Sequence, residues 1–143
     1  MENGDEKKED REFIMCVKVE YWWKYIHEHP DFTGCLIDKN GTKAWYLNGK
    51  CHREDGLPAV EWADGSKAWY LNGKYHREDG LPAIERANGH KTWCLKGELH
   101  RENGPAIEWA SGNKEWWLNG KRYTEQEWKM ETRRRKIEKL LCV

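Results

Sequence analysis

The sequence predicts a mainly β protein: a single-layer antiparallel β-meander of four hairpin repeats, capped by a C-terminal α-helix and an N-terminal helix. Three observations predict it. Gly41, Gly65, Gly89 and Gly112 recur at steps of 24, 24 and 23 residues, and internal periods of this length mark repeat architectures. Four residues after each stands a tryptophan: Trp45, Trp69, Trp93 and Trp116. Finally, Asn-Gly and Asp-Gly pairs separate short runs such as Lys67-Ala-Trp-Tyr-Leu71 and Lys74-Tyr-His-Arg77; a type I′ turn needs positive φ at both central positions, which these residues supply.

Taken in chain order, residues 1–11 are rich in Glu and Lys without an apolar anchor, the composition of a disordered acidic tail. Residues 12–33 form the N-terminal cap. Within it, Met15, Val19, Trp22 and Ile26 fit a helical stripe, while Val17, Val19, Tyr21, Trp23 and Tyr25 alternate as a strand would. The reading favoured is a helix over Phe13–Ile26 ending before Pro30, with a degenerate repeat feeding a Cys35–Asp38 strand as the alternative. Residues 34–123 are the hairpin repeats. Three copies continue as His-Arg-Glu-Asp/Asn-Gly at 52–56, 76–80 and 100–104, each followed by Pro-Ala, and the step of 23 arises because Leu57 and Leu81 have no counterpart before Pro105. The Gly and Pro after the His-Arg strand predict a bulge or bend there.

If both turns are two-residue, counting outward places Val60 opposite Trp69 and Trp69 opposite His76. The period of two then gathers Pro58, Trp62 and Leu71 with them on an apolar face, leaving Glu61, Ala68, Tyr70, Tyr75 and Arg77 on the other. At the C-terminal end, Thr124 and Glu127 have capping-box spacing, which starts a helix over 124–141. Acids occupy its first turn and Lys136 and Lys139 its end, as the helix dipole prefers. Trp128, Met130, Ile137 and Leu141 form its apolar stripe.

The cycle W-Y-L-N-G-K-Y-H-R-E-D-G-L-P-A-I-E-W-A-D-G-S resembles the MORN repeat over residues 34–123. The usual repeat places Gly after the His; here Arg53, Arg77 and Arg101 stand there and the Gly is delayed, a diverged variant similar to repeats of phage, giant-virus and bacterial proteins, some of them described as antitoxins. The resemblance implies the β-hairpin fold and a role in protein contact or assembly. It implies no particular activity, because one fold carries many functions.

Composition narrows the function classes. Lys plus Arg and Asp plus Glu number 25 each, so no global field draws the chain to nucleic acid or anionic lipid. The ends differ: residues 1–12 hold six acids and three bases, residues 121–143 eight bases and four acids. There is no signal-peptide core and no apolar run near the roughly 20 residues of a membrane span. The five cysteines form no C-x-x-C pair, which speaks against a disulfide framework or a zinc knuckle and for a reducing, cytoplasmic setting, the host cytoplasm if the protein is viral.

No residue set reads as catalytic, and no cofactor or metal is expected. His52, His76 and His100 lie one repeat apart, about 9.5 Å at ordinary strand spacing, whereas ligands of one zinc each lie about 2 Å from it; they read as packed against the cross-strand Trp and bonded to backbone or carboxylate. His27 and His29 read as surface residues. Glu54-Asp55 and Glu78-Asp79 recur with the repeat and read as turn residues. Arg133-Arg-Arg-Lys136 spreads around a helix and makes a poor nucleic-acid site.

The partner-binding candidates are Arg53, Arg77, Arg101, Tyr46, Tyr70, Tyr75 and Trp117, since guanidinium groups beside exposed aromatics suit carboxylate-rich or stacking partners. The competing reading pairs each Arg with Glu61, Glu85 or Glu108 as a solvated ion pair. The expected function is a non-enzymatic protein-binding module, specifically an anti-CRISPR-like or antitoxin-like inhibitor of a bacterial defence enzyme or toxin. A nucleotide-signal sponge, with its pocket built across a homodimer, and a structural repeat are the alternatives.

Overall fold

The computed structural model describes residues 16–142. The chain enters through β1 (Val17–Lys18) and helix α1 (Trp22–Glu28), then runs as β2 (Gly34–Ile37), β3 (Lys43–Leu47), β4 (Lys50–Cys51) and β5 (Val60–Glu61). The central repeats contribute β6 (Lys67–Ala68), β7 (Tyr70–Leu71), β8 (Lys74–Tyr75), β9 (Ile84–Glu85), β10 (Lys91–Thr92), β11 (Cys94–Leu95), β12 (Glu98–Leu99) and β13 (Ile107–Glu108). A last hairpin, β14 (Lys114–Leu118) with β15 (Lys121–Tyr123), leads into helix α2 (Glu125–Leu141). The protein is mainly β: one 11-stranded sheet in the order β1-β2-β3-β5-β6-β9-β10-β13-β14-β15, with β4 on β3, and two separate hairpins, β7-β8 and β11-β12.

The tryptophans explain why each repeat serves two ladders. The Trp69 N–H donates to the Ala83 carbonyl at 2.8 Å, while the Trp69 carbonyl accepts from the His76 N–H at 3.0 Å. Its donor therefore belongs to the main sheet and its acceptor to the hairpin. Trp45 and Trp93 do the same with Ala59 and His52, and with Ala106 and His100. The chain bends at each pivot, and Ala59, Ala68, Ala83 and Ala106, each 0% exposed, line the bend. Tyr46, Tyr70 and Tyr75 close over Ala44, Val60 and Ala68 to make a thin core.

The register corrects the expected faces. Asn72-Gly73 is the predicted two-residue turn, with φ of 51° and 80° and Tyr70 opposite Tyr75. Asp64-Gly65 is different. The Trp62 N–H bonds the Ser66 carbonyl and the Gly65 N–H bonds the Trp62 carbonyl, so residues 63–65 form a three-residue turn in which Gly65 alone takes positive φ. Val60 consequently faces Ala68, not Trp69. One added residue reverses every side chain beyond it: Val60 joins Ala68, Tyr70 and Tyr75 on the inner side, and Trp69 joins Arg77 on the outer. The second bend is a turn rather than a bulge, Asp55 and Gly56 both having positive φ.

At the N-terminal end the strand and helix patterns are both used, in succession. β1 adds to β2 in parallel, Val17 beside Leu36, and α1 begins only at Trp22 and ends before Pro30. Trp22, Tyr25 and Ile26 pack on the first repeat. The expected tail of residues 1–11, and Phe13 to Met15 of the expected helix, lie outside the described residues. Cys16 is disulfide-bonded to Cys35, which corrects the expectation of reduced cysteines: the pairing joins the start of β1 to its neighbour β2 and was invisible in the spacing of the cysteines.

At the other end, the predicted capping box is formed: the Glu127 N–H donates to Thr124 Oγ1 and the Thr124 N–H to a Glu127 carboxylate oxygen. The expected apolar stripe is not buried as a whole. Trp128 and Thr132 are buried, whereas Met130, Ile137 and Leu141 are 67%, 51% and 78% exposed. Trp128 packs on Trp116 with ring centroids 4.7 Å apart and donates its indole N–H to the Arg101 carbonyl at 3.1 Å. One aromatic ring thus closes the last repeat.

Replacing Trp128 with Ala should lower unfolding stability by about 3 kcal/mol, since large-to-small changes of buried aromatics cost that much; a urea titration followed by circular dichroism measures it. Lys96 occupies the turn position held elsewhere by Asn48, Asn72 and Asn119 and shares their left-handed φ, 50°. Lys96→Asn should raise stability by about 0.5–1 kcal/mol in the same assay, because Asn tolerates that conformation better than Lys.

Candidate interaction surface

The outer side of the ribbon carries one clamp per repeat. The Arg77 guanidinium lies over the Trp69 ring at 3.6 Å from its centroid, and its Nη1 donates to the Pro82 carbonyl at 3.0 Å and to Glu85 at 2.9 Å. Arg101 repeats the arrangement on Trp93, Pro105 and Glu108. Arg53 does so on Trp45 and Pro58, with Glu61 farther away at 3.5 Å. Burial pulls the Arg53 pKa down, with Glu61 opposing the shift. Each clamp thus ties a His-Arg strand to the Pro-Ala-Val/Ile-Glu strand that follows it. The ion-pair reading of these arginines is therefore realised, with an aromatic stack added to it.

In the fourth repeat Thr124 stands where the arginine would be. Trp128 covers Trp116 in its place, so an aromatic ring from α2 replaces the cation–π contact.

The histidines connect successive hairpins. His76 Nδ1 accepts the Lys96 N–H at 2.9 Å, and Nε2 reaches Glu78 at 2.7 Å. His52 and His100 accept from the N–H groups of Asn72 and Asn119 at 2.9 Å each. Because Nδ1 accepts a backbone proton, the proton of the neutral ring sits on Nε2, facing the glutamate. These contacts match the predicted structural role, and no group of three His, Cys, Asp or Glu side chains among the described residues could hold a metal ion. His29 is exposed and bonds the Tyr25 carbonyl.

The tyrosines proposed for contact face inward. Tyr46 is 7% exposed, and Tyr70 and Tyr75 are half-buried with ring centroids 4.3 Å apart. Burial pushes the Tyr46 and Tyr70 phenols well above their ordinary pKa. Trp117 is half-buried and donates its indole N–H to Glu115 at 3.0 Å. The seven predicted residues do not form one patch: the arginines lie outside, and the tyrosines pack within.

Two grooves separate the clamps. One, of about 550 Å³, is lined by Arg53, Asp55, Trp69, His76, Arg77 and Leu81 among others. The next, of about 280 Å³, runs between Arg77 and Arg101. Leu81 lines both grooves; Leu57, its counterpart one repeat earlier, lies outside their linings, and each is 46% exposed next to the acids of its own turn. A separate column escaped the sequence reading: Trp62, Arg86 and Trp109 stand at one repeat position along the opposite turn edge. Aligning the repeats on their glycines would have exposed it. No family model, curated protein or solved structure matches the chain, and no helix among the described residues is long and apolar enough to cross a membrane.

Arg77→Ala should lower stability by about 2 kcal/mol, the combined scale of a partly buried cation–π contact and a charge-assisted hydrogen bond. Arg77→Lys should recover less than half of the loss, because an ammonium is a point charge without a planar face; thermal melts of both variants test this. The free thiols should also separate. Burial pushes Cys51 up to about 12 and Cys94 up to about 11, whereas Cys142 is exposed. Because the thiolate is the nucleophile, iodoacetamide at neutral pH should modify Cys142 first and reach the other two only on unfolding, as read by peptide mass spectrometry.

Proposed function

We propose that the protein is a non-enzymatic binding module that docks on another protein along its Glu-Asp-Gly-Leu turns and the grooves between its arginine clamps. The observation that carries this reading is the recurrence of Leu57 and Leu81 at one position in successive repeats, both 46% exposed, beside Glu54 and Glu78, whose side chains are each 72% exposed. Apolar contacts flanked by like charges, repeated once per repeat along the ribbon, suit a partner that presents apolar side chains between basic ones. Arg53, Arg77 and Arg101 line the same grooves and keep their place in the proposed surface. Tyr46, Tyr70 and Tyr75 support it from within.

The resemblance to MORN repeats supports a contact role. It is also the support for the specific form we propose, a phage- or mobile-element-encoded inhibitor of a bacterial defence enzyme or toxin. Action in a host cytoplasm is part of that proposal.

The test is affinity capture from bacterial lysate with the wild-type chain and a Leu57→Asp/Leu81→Asp variant. A protein recovered in stoichiometric amount by the wild type should fall about tenfold with the variant, the scale of losing a contact hot spot, while both chains melt alike. Recovery of no stoichiometric protein, or equal recovery by both chains, would count against the proposal.

A further inference from the structure

Two departures from the repeat meet in one groove. Where the second and fourth repeats carry Trp62 and Trp109, the third carries Arg86; where the second carries Ser66, the third carries His90. The Ser66 hydroxyl oxygen accepts the Ala87 N–H at 2.9 Å, bridging the turn at 63–65 to the turn at 87–89. His90 makes a different contact. Its ring lies 4.5 Å from that of Trp109 and its Nε2 bonds Thr92 Oγ1 at 2.9 Å. The open groove along these turns, about 650 Å³, has Asp64, Arg86, His90 and Trp109 in its lining.

The groups in it are complementary to a specific kind of ligand. The Arg86 guanidinium lies over Trp62, 4.9 Å from the ring centroid. Arg86 is exposed and, unlike Arg53, Arg77 and Arg101, has no ion-pair partner within 4.0 Å among the described residues. Its N–H groups can therefore take an outside acceptor, and a planar fork suits phosphate oxygens. Trp109 is 45% exposed and offers a flat ring, on which a base can stack whatever its hydrogen-bonding edge. Asp64, whose carboxylate already accepts the Ser66 N–H at 2.8 Å, lines the same groove. It adds an acceptor for an amino group, within electrostatic reach of Arg86.

We propose that the groove between Arg86 and Trp109 binds a free nucleoside monophosphate, its base against Trp109 and its phosphate at Arg86. This site lies apart from the Leu57 and Leu81 surface and does not depend on the protein-docking reading. The probe is AMP, with adenosine, inorganic phosphate and a short oligoadenylate as comparisons, titrated by calorimetry into the full chain. The informative variant is Arg86→Trp, because Trp is what the neighbouring repeats hold at this position and the fold accepts it there. Its circular dichroism melt should match the wild type.

AMP should bind saturably, with adenosine and phosphate each about tenfold weaker or worse and Arg86→Trp about tenfold weaker for AMP. Absence of AMP binding at about 10 mM, a regime weaker than any specific site would show, overturns the proposal. So does a folded Arg86→Trp chain that binds AMP as the wild type does, or adenosine binding as tightly as AMP. Oligoadenylate binding about tenfold tighter than AMP overturns the assignment to a free nucleotide.

Discussion

The structure depends on a single backbone arrangement: a tryptophan whose N–H and C=O belong to different ladders. At Trp45, Trp69 and Trp93 the chain leaves the main sheet and enters its own hairpin within one residue. A side chain at such a pivot stands on the outside of the bend, so it must be large enough to be covered from several directions. The indole does this, taking an arginine on its face. At Trp69 and Trp93 the indole N–H also bonds a glycine carbonyl of the preceding repeat, at 2.9 Å in both cases. The pivot therefore also joins neighbouring repeats.

The rest of the repeat follows from covering that pivot. Pro58, Pro82 and Pro105 lack a backbone N–H, and their carbonyls accept from the clamp arginines. The alanines after them are fully buried on the inside of the bend. The glutamates that complete the clamps and the histidines that accept from the next turn bind strands of one repeat to each other or to the next. Such a ribbon needs a stop at each end, since exposed strand edges invite pairing with other chains. Trp128 provides one by covering Trp116 of the fourth repeat, and β1 with α1 provides the other.

For function, this construction spreads equivalent side chains along a line. Residues that match from repeat to repeat are separated by two strands and work in parallel, which suits an extended contact surface. Chemistry confined to one place has to come from a position where the repeat is broken. The pair of Arg86 and His90 is such a position, and it differs from the clamps because its guanidinium stacks on Trp62 with no carboxylate among the described residues within 4.0 Å, Asp64 acting on it only at longer range. The Cys16–Cys35 bridge is another departure from the repeat, confined to the N-terminal edge.

How much of this the sequence could determine depends on how local the physics is. Turn chemistry, period and capping act over a few residues, so the hairpin at Asn72-Gly73, the four repeats, the α2 start at Thr124 and the glutamate partners of the arginines were legible. The clamp was legible as charge pairing because Arg and Glu recur in step. What tertiary structure decided is longer in range. Whether Asp64-Gly65 closes two residues or three depends on whether Asp64 adopts positive φ, and in the folded chain its carboxylate instead accepts the Ser66 N–H. That choice exchanged the two faces and carried the tyrosines inward. The pairing of Cys16 with Cys35 likewise required β1 to lie parallel to β2, and the grooves required neighbouring turns to be set side by side. None of these is encoded in spacing, because each depends on segments that meet only after the ribbon has formed.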